Sequence, residues 1–514
     1  MTQQVRVRFA PSPTGPLHIG GVRTALYNYL FSRRHNGRFV LRIEDTDQTR
    51  LVPGAEEYII EALRWTGMEV DEGPNVDGPY GPYRQSQRKA LYQGYARQLI
   101  DSGCAYYAFD TSEDLEAMRE RMKKAGVPNP KYDAITREYM KNSLTLPADE
   151  VQERLDRGDP YVLRIKIPRQ EEVKLYDLIR GYVRVQTNQL DDKVLYKSDG
   201  MPTYHMANVI DDHLMEITHV IRGEEWLPSA PLHVLLYEYL GWGESMPAFA
   251  HLPLILKPDG NGKLSKRDGD RLGIPVFPLD WRDPETGKVA MGYREQGYLP
   301  EAFLNILAML GWHPQDNQEI FTLDELIEKF SLERVGKAGA KFDPDKARWY
   351  NQQFLRNRPP EQLAESFAEV VQARGYTPDY DYLVRVCRLL RDKATFVSQF
   401  WELGYYFFEP PAQFDAKVVR KKFDVQAETF LKHLLEAIEG LSGPSAEELA
   451  GVYQQTAESV GVSPGKYKQL LRVAITGEAS GPDLFALMAI LGRDELVRRL
   501  SDALERMPAQ LAAE

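Results

Sequence analysis

Two stretches of this sequence combine residues that could work on a polyphosphate. The first runs Pro11-Ser12-Pro13-Thr14-Gly15-Pro16-Leu17-His18-Ile19-Gly20-Gly21. Gly20 and Gly21 carry no side chain, so a triphosphate could approach the backbone closely. A helix starting there would add unpaired N–H groups and positive potential. His18 would then reach a phosphate oxygen. The second stretch is Lys263-Leu264-Ser265-Lys266-Arg267, on a loop rich in Gly and Asp between Pro258 and Gly262. Two lysines and an arginine on a flexible loop suit charge that builds up on phosphates during group transfer, where electrostatic stabilisation is the main contribution a protein makes. Each stretch has an ordinary alternative. One histidine and two glycines are by themselves more often a plain turn, and a basic loop is more often solvated surface. Together they favour a nucleotide site, without the G-x-G-x-x-G of dinucleotide binders.

These residues need elements to hold them. Val5, Val7 and Phe9 alternate with arginines, which predicts a strand over 5–10 that leads into the first stretch. Val22, Leu26, Tyr29 and Leu30 recur at helical spacing, and Asn36-Gly37 supplies a left-handed stop. Phe39–Ile43 predicts a second strand, running into the acidic cluster Glu44-Asp45-Thr46-Asp47. Strand, helix and strand within about forty residues make a βαβ unit and imply a parallel sheet, whose ligand side lies at the carboxyl ends of the strands. From about 92 to 190 the pattern changes to a charged helix (Thr111 to Ala125) and strand-like pieces near Tyr161–Ile167 and Val183–Gln186, which predicts an insertion. The sheet pattern resumes at Val194-Leu195-Tyr196 and His219-Val220-Ile221, followed by a helix from about Pro231 to Leu240. Beyond roughly residue 300 the pattern is helical almost throughout.

Composition bounds these expectations. A chain of 514 residues exceeds one hydrophobic core, since cores stop growing near roughly 250–300 residues. With 43% hydrophobic and 27% charged residues it is of the soluble globular class. There is no apolar run near the length of a membrane helix, and the start MTQQVRVRFAPSP lacks an apolar signal core, so a cytoplasmic location is expected. Cys104 and Cys387 lie too far apart in sequence for paired zinc spacing and are expected to be reduced and mostly buried. The formal net charge of -11 weighs against a nucleic-acid partner but does not exclude a local basic path.

The two stretches resemble the HIGH and KMSKS signatures of class I aminoacyl-tRNA synthetases, with Gly21 in place of the second histidine, a variant of the glutamyl branch. Arg8–Gly15, Arg42-Ile43-Glu44-Asp45-Thr46-Asp47, Tyr83-Arg84-Gln85-Ser86, Ser198–His205 and Val220–Trp226 are similar to glutamyl-tRNA synthetases. The resemblance is dense over 5–350 and continues to about 495, where Ala474-Ile475-Thr476-Gly477 and Leu484–Gly492 match the bacterial form. It implies that Arg8, Ala10, Ser12, Glu44, Tyr204, Asn208 and Arg222 bind glutamate, and that His18, Lys263 and Lys266 serve catalysis. Pro11, Thr14, Gly15, His18, Gly20, Gly21, Glu225, Trp226, Leu264, Ser265, Lys266 and Arg267 would form the ATP site. Arg356 and Thr476 fall where relatives read the anticodon.

The fold that the resemblance implies is a Rossmann-type α/β catalytic domain (1–91 and 192–256) split by an α+β acceptor-end domain (92–191). A stem-contact region with the basic loop (257–342) follows, then all-α anticodon-binding domains over 343–395 and 396–514. The implied enzyme joins glutamate to the 3′-terminal adenosine of tRNA(Glu), taking ATP with Mg2+. It is expected to need no zinc and to be a monomer away from membranes. Glutaminyl-tRNA synthetases share the catalytic core but usually end in β-barrels, which the helical second half opposes. A shorter relative that glutamylates a modified tRNA base lacks the anticodon domains.

Overall fold

The computed structural model describes residues 4–513, with the side chains of Lys266, Asp270 and Ala513 excepted. The chain divides into two compact units, one ending at Pro344 and the other beginning at Asp345. Among its described residues the first has nine strands of three residues or more: β1 (Arg6–Phe9), β2 (Arg38–Leu41), β3 (Ala105–Ala108), β4 (Val162–Ile165), β5 (Glu172–Asp177), β6 (Gly181–Gln186), β7 (Val194–Tyr196), β8 (His219–Gly223) and β9 (Ala248–Leu252), besides a few two-residue pairings. Six of them form one sheet in the order β2-β1-β8-β9-β5-β6, parallel throughout except for the closing hairpin β5-β6.

Parallel pairing of β1 with β2 needs a crossover, and the helix Ile19–Arg34 supplies it. As Asn36-Gly37 predicts, Asn36 takes a left-handed φ of 49°, and the Gly37 N–H donates to Ser32 O at 2.7 Å. The helix is buried on more sides than its apolar stripe predicts. Val22, Leu26, Tyr29 and Leu30 are buried, and so are Arg23, Tyr27, Asn28 and Ser32. Its outer side meets the helix Pro300–Ala308 and the turn after it, where Tyr27 Oη donates to Ala308 O at 3.0 Å and Arg23 Nη1 to Leu310 O at 2.7 Å.

A second, three-stranded sheet β3-β4-β7 carries the body of the insertion over a small core of Tyr106, Ala108, Met118, Tyr132 and Met140. Its charged helix Ser112–Lys124 begins where a capping box forms. Thr111 Oγ1 accepts from the Asp114 N–H, and the Asp114 carboxylate accepts from the Thr111 N–H.

Two segments join sheets other than those expected of them. The hairpin Glu172–Gln186 was expected inside the insertion, yet it extends the main sheet through Asp177 opposite Phe249. Val194–Tyr196 was expected to resume the main sheet, yet it pairs antiparallel with β4 in the insertion. A short alternating run carries no mark of which sheet it joins, because the partner strand is distant in sequence.

The second unit has no strand among its described residues. Aspartates and a serine start several of its helices: Asp379, Asp424, Ser445 and Asp483 each accept from a backbone N–H three residues on. The boundary expected at 395 does not separate compact bodies. Helix Tyr380–Leu390 packs against Pro360–Gln372 on one side and Leu484–Leu491 on the other.

Candidate active site

Two adjoining clefts open at the carboxyl ends of β1 and β8. The first, about 260 Å³, is lined by Arg8, Ala10, Pro11, Ser12, Glu44, Tyr204, Asn208, Arg222 and Trp226. The second, about 370 Å³, is lined by His18, Arg23, Lys263, Leu264 and Ser265 among others. Gly20, Gly21, Thr24, Gly223 and Glu225 belong to both and join them. A larger apolar cavity of about 430 Å³ beside Ile60, Leu63, Met68 and Val76 contains none of the residues singled out from the sequence.

A buried charge network forms one wall of the first cleft. Asp212 accepts from Arg8 twice, Nε to Oδ1 at 3.0 Å and Nη2 to Oδ2 at 3.2 Å, and from Arg42 Nη1 at 2.7 Å. Arg42 Nη2 also donates to Glu44 Oε1 at 3.1 Å, and Asn208 Nδ2 donates to the same oxygen at 2.9 Å. Burial pushes the Glu44 carboxyl above its ordinary range, outweighing the pull of Arg42, Arg8 and Asn208. Asp212 is shifted the other way. Burial opposes ionisation there too, but the two guanidiniums together hold it below the usual range.

Arg222 lines the same cleft with different neighbours. Its Nε donates to His251 Nε2 at 3.0 Å and its Nη1 to Tyr204 Oη at 2.9 Å. The Tyr204 ring packs against Trp226 at a tilt of 34°, with centroids 4.4 Å apart. Arg8 and Arg222 thus flank one cleft with guanidinium donors, and Glu44 offers a carboxylate. That set can receive an amino acid with an acidic side chain.

The helix start behind the second cleft differs from its expected form. His18 is the N-cap, and its Nδ1 accepts from the Gly20 N–H at 3.1 Å, while the Ile19 N–H donates to Val276 O at 3.0 Å. These first N–H groups already have partners, so the contribution to a phosphate is the positive helix end and the ring itself. With Nδ1 accepting, the neutral imidazole carries its proton on Nε2, as a donor to a phosphate oxygen would require. A Cβ added to Gly20 would meet only His18 Nδ1, at 3.5 Å, and would stand in the cleft.

Across the cleft, Lys263 Nζ pairs with Glu225 Oε1 at 2.8 Å, and Glu225 lies so close to Gly223 that a Cβ there would be 2.1 Å from its Oε2. Burial, the largest influence, raises the Glu225 carboxyl, but the bond and charge of Lys263, a backbone N–H and the charge of Arg23 together make the net shift downward. Ser265 opens the helix Lys266–Leu272, and its N–H and Oγ donate to the Asp268 carboxylate, which the hydroxyl and Lys257 help hold down to about 2.

Residues 4–349 match the family tRNA synthetases class I (E and Q), catalytic domain, and residues 362–504 match the family Anticodon binding domain. The chain belongs to the class I tRNA synthetases of the E and Q group. It is 57% identical over 503 residues to a glutamate–tRNA ligase of Cytophaga hutchinsonii, covering 98% of this chain and 97% of the relative. It is 52% identical to a glutamate–tRNA ligase of Porphyromonas gingivalis, covering 98% and 99%. Its fold superposes with a TM-score of 0.94 on the crystal structure of a glutamate tRNA ligase from Elizabethkingia meningosepticum in complex with its amino acid, at 50% identity and covering 98% and 100%.

Within this synthetase, the seven residues expected to take glutamate all line the first cleft. Of those expected at ATP, His18, Gly20, Gly21, Glu225, Leu264 and Ser265 line the second, with the catalytic candidate Lys263, while Pro11 and Trp226 line the first. Thr14, Gly15 and Arg267 line neither, and Arg267 is exposed. The Lys266 side chain lies outside the described ones. In the helical unit, Arg356 donates through Nε and Nη2 to Asp392 O at 3.1 and 2.8 Å. Thr476 is 1% exposed, and its hydroxyl donates to Arg472 O, so it has little surface to offer RNA.

Sequence reasoning missed Asp212, Arg23, Asp177, His233 and His251. Asp212 had a signal. Tyr204, Asn208 and Asp212 recur at four-residue spacing along the helix Tyr204–Leu214 and so share a face.

Proposed function

We infer that this chain activates L-glutamate with ATP to glutamyl-adenylate and transfers the glutamyl group to the 3′-terminal adenosine of tRNA(Glu), releasing AMP and pyrophosphate. The observation that carries the reading is the junction of two clefts, one with two arginines and a buried carboxylate, the other with a helix start and a lysine-bearing loop. Glutamate in the first and ATP in the second would meet at Gly20, Gly21 and Gly223.

Arg8 and Arg222 take the side-chain carboxylate, and Glu44 accepts from the α-ammonium group. The α-carboxylate attacks the α-phosphorus in line, and the bond to the β-phosphate oxygen breaks. A terminal ribose hydroxyl of tRNA then attacks the activated carbonyl, and AMP leaves. No side chain becomes a covalent nucleophile; His18, Lys263 and Lys266 supply charge and position. Glutamine has nearly the shape of glutamate, but its NH2 would meet guanidinium N–H donor to donor, leaving buried groups unpaired.

Mg2+ would enter with the triphosphate, since it keeps most of its waters and is commonly held by substrate phosphates. Among the described residues no helix is long and apolar enough to cross a membrane. We place the protein in the cytoplasm as a monomer.

Exchange of pyrophosphate into ATP tests the reading. With glutamate and cognate tRNA present, exchange is expected, and with glutamate alone it should stay near background, because the correct partner completes the pocket. Folded protein that exchanges with glutamine but not glutamate, or with neither, would overturn it.

A further inference from the structure

Arg222 is 4% exposed and held by neutral acceptors. Besides His251 Nε2 and Tyr204 Oη, its Nη1 lies 3.4 Å from His233 Nδ1, and its Nη2 donates to Trp226 O at 3.4 Å. A guanidinium has only donors, so every partner must present a lone pair. For a histidine this is a condition on its tautomer. Nε2 of His251 has a lone pair only while the ring is neutral with its proton on Nδ1.

What sets that tautomer is Asp177, whose Oδ2 lies 2.6 Å from His251 Nδ1, both side chains being fully buried. The other oxygen, Oδ1, is claimed by three backbone N–H groups, those of Ile179 at 3.0 Å, Arg180 at 2.8 Å and His251 at 3.3 Å. The carboxylate therefore accepts at both ends. Burial, the largest influence, and the charge of Arg222 keep the His251 ring below the usual imidazole range despite the bond to Asp177.

We propose that Asp177 and His251 are positioning residues for glutamate recognition: the carboxylate keeps the His251 proton on Nδ1, and the lone pair left on Nε2 holds the Arg222 guanidinium toward the cleft. The proposal rests on the reading of Arg222 as a glutamate-binding residue. Neither Asp177 nor His251 lines that cleft, so both act through Arg222. Support behind a ligating group fixes its orientation here much as it does behind a metal-bound histidine.

Asp177→Asn makes the idea testable. The three backbone N–H groups would claim the amide oxygen, which leaves the NH2 facing His251 Nδ1. The ring would then accept there, carry its proton on Nε2 and point an N–H at the Arg222 Nε–H. A wrong tautomer of this kind disables an otherwise intact histidine. The expected result is a glutamate KM raised at least about tenfold, with kcat and the ATP KM within about twofold of wild type.

His251→Gln offers Arg222 an amide oxygen and Asp177 an amide NH2, and should raise the glutamate KM by no more than about threefold; His251→Leu, with no acceptor, should match Asp177→Asn. Arg222→Gln run alongside separates the two readings. If it leaves the glutamate KM unchanged, the glutamate site itself is misassigned. If it raises that KM while folded Asp177→Asn does not, the positioning role alone fails. Should Asp177→Asn not fold, equal glutamate KM values for His251→Gln and His251→Leu overturn the proposal, as would a parallel rise in the ATP KM.

Discussion

Arg8 and Arg222 face the same cleft, but only one can be removed without disturbing the wall behind it. Arg8 shares Asp212 with Arg42, which also pairs with Glu44, and all four side chains are buried. Taking one partner out of such a buried pair costs about 3–5 kcal/mol, because the remaining charge has no water to turn to. Loss of activity in an Arg8 variant would therefore mix binding with stability. Arg222 leans on Tyr204, His251, His233 and a backbone carbonyl, none of them a carboxylate, so its charge remains for a ligand. Arg222→Gln is expected to raise the glutamate KM at least about tenfold and to narrow the preference over glutamine, as loss of a charge-assisted pair would. Steady-state aminoacylation with both amino acids decides this. An unchanged KM and an unchanged ratio would remove Arg222 from the pocket.

At the scale of elements, the basic loop is where chemistry and local structure are most closely joined. Leu264 is buried and its N–H donates to Ile255 O at 2.9 Å, which anchors the loop, while Lys263 reaches across to Glu225. Ser265 then starts a helix through Asp268, so the backbone of Lys266 opens that helix. A cation placed there acts mainly on charge that grows as pyrophosphate leaves. Lys266→Ala is expected to slow adenylate formation by about 10²–10³ while leaving glutamate binding nearly unchanged. Single-turnover measurement of adenylate formation tests it, and a rate within about twofold of wild type would reduce the loop to surface.

Across the whole molecule, each unit closes a core of its own. In the helical unit Phe367, Cys387, Phe400, Phe430, Leu434 and Leu470 have no exposed surface. Residues 345–514 alone are expected to fold into a helical body with a cooperative thermal transition by circular dichroism; a broad, non-cooperative loss of signal would contradict this. Cys387 offers a second readout. Burial pushes its thiol up to about 12, so near pH 8 it holds far less of the reactive thiolate than a free cysteine would. Thiol-reactive dye should label Cys387 only once denaturant unfolds the unit, while the half-buried Cys104 is reached in the native chain. Rapid labelling of Cys387 in native protein would show that this core opens readily.

Features made within a few residues were legible in the sequence, since their partners stand beside them in the text. Asn36 stops the first helix, the charged helix Ser112–Lys124 falls within the stretch expected for it, and the strand–turn–helix that carries His18 follows from alternation and turn residues. The resemblance in motifs extended this to the seven residues around the first cleft. What the text could not supply is pairing across long separations. Arg8 meets Asp212 204 residues away, and His251 meets Asp177 at a distance of 74. The same limit sent β7 to the wrong sheet and the hairpin β5-β6 into the insertion. A strand's alternation states which face is apolar but not which neighbour satisfies its N–H and C=O groups, and a buried arginine states that it needs acceptors but not which ones. Those choices are made only when distant segments pack together, so the tertiary structure alone decided how the two arginines are held.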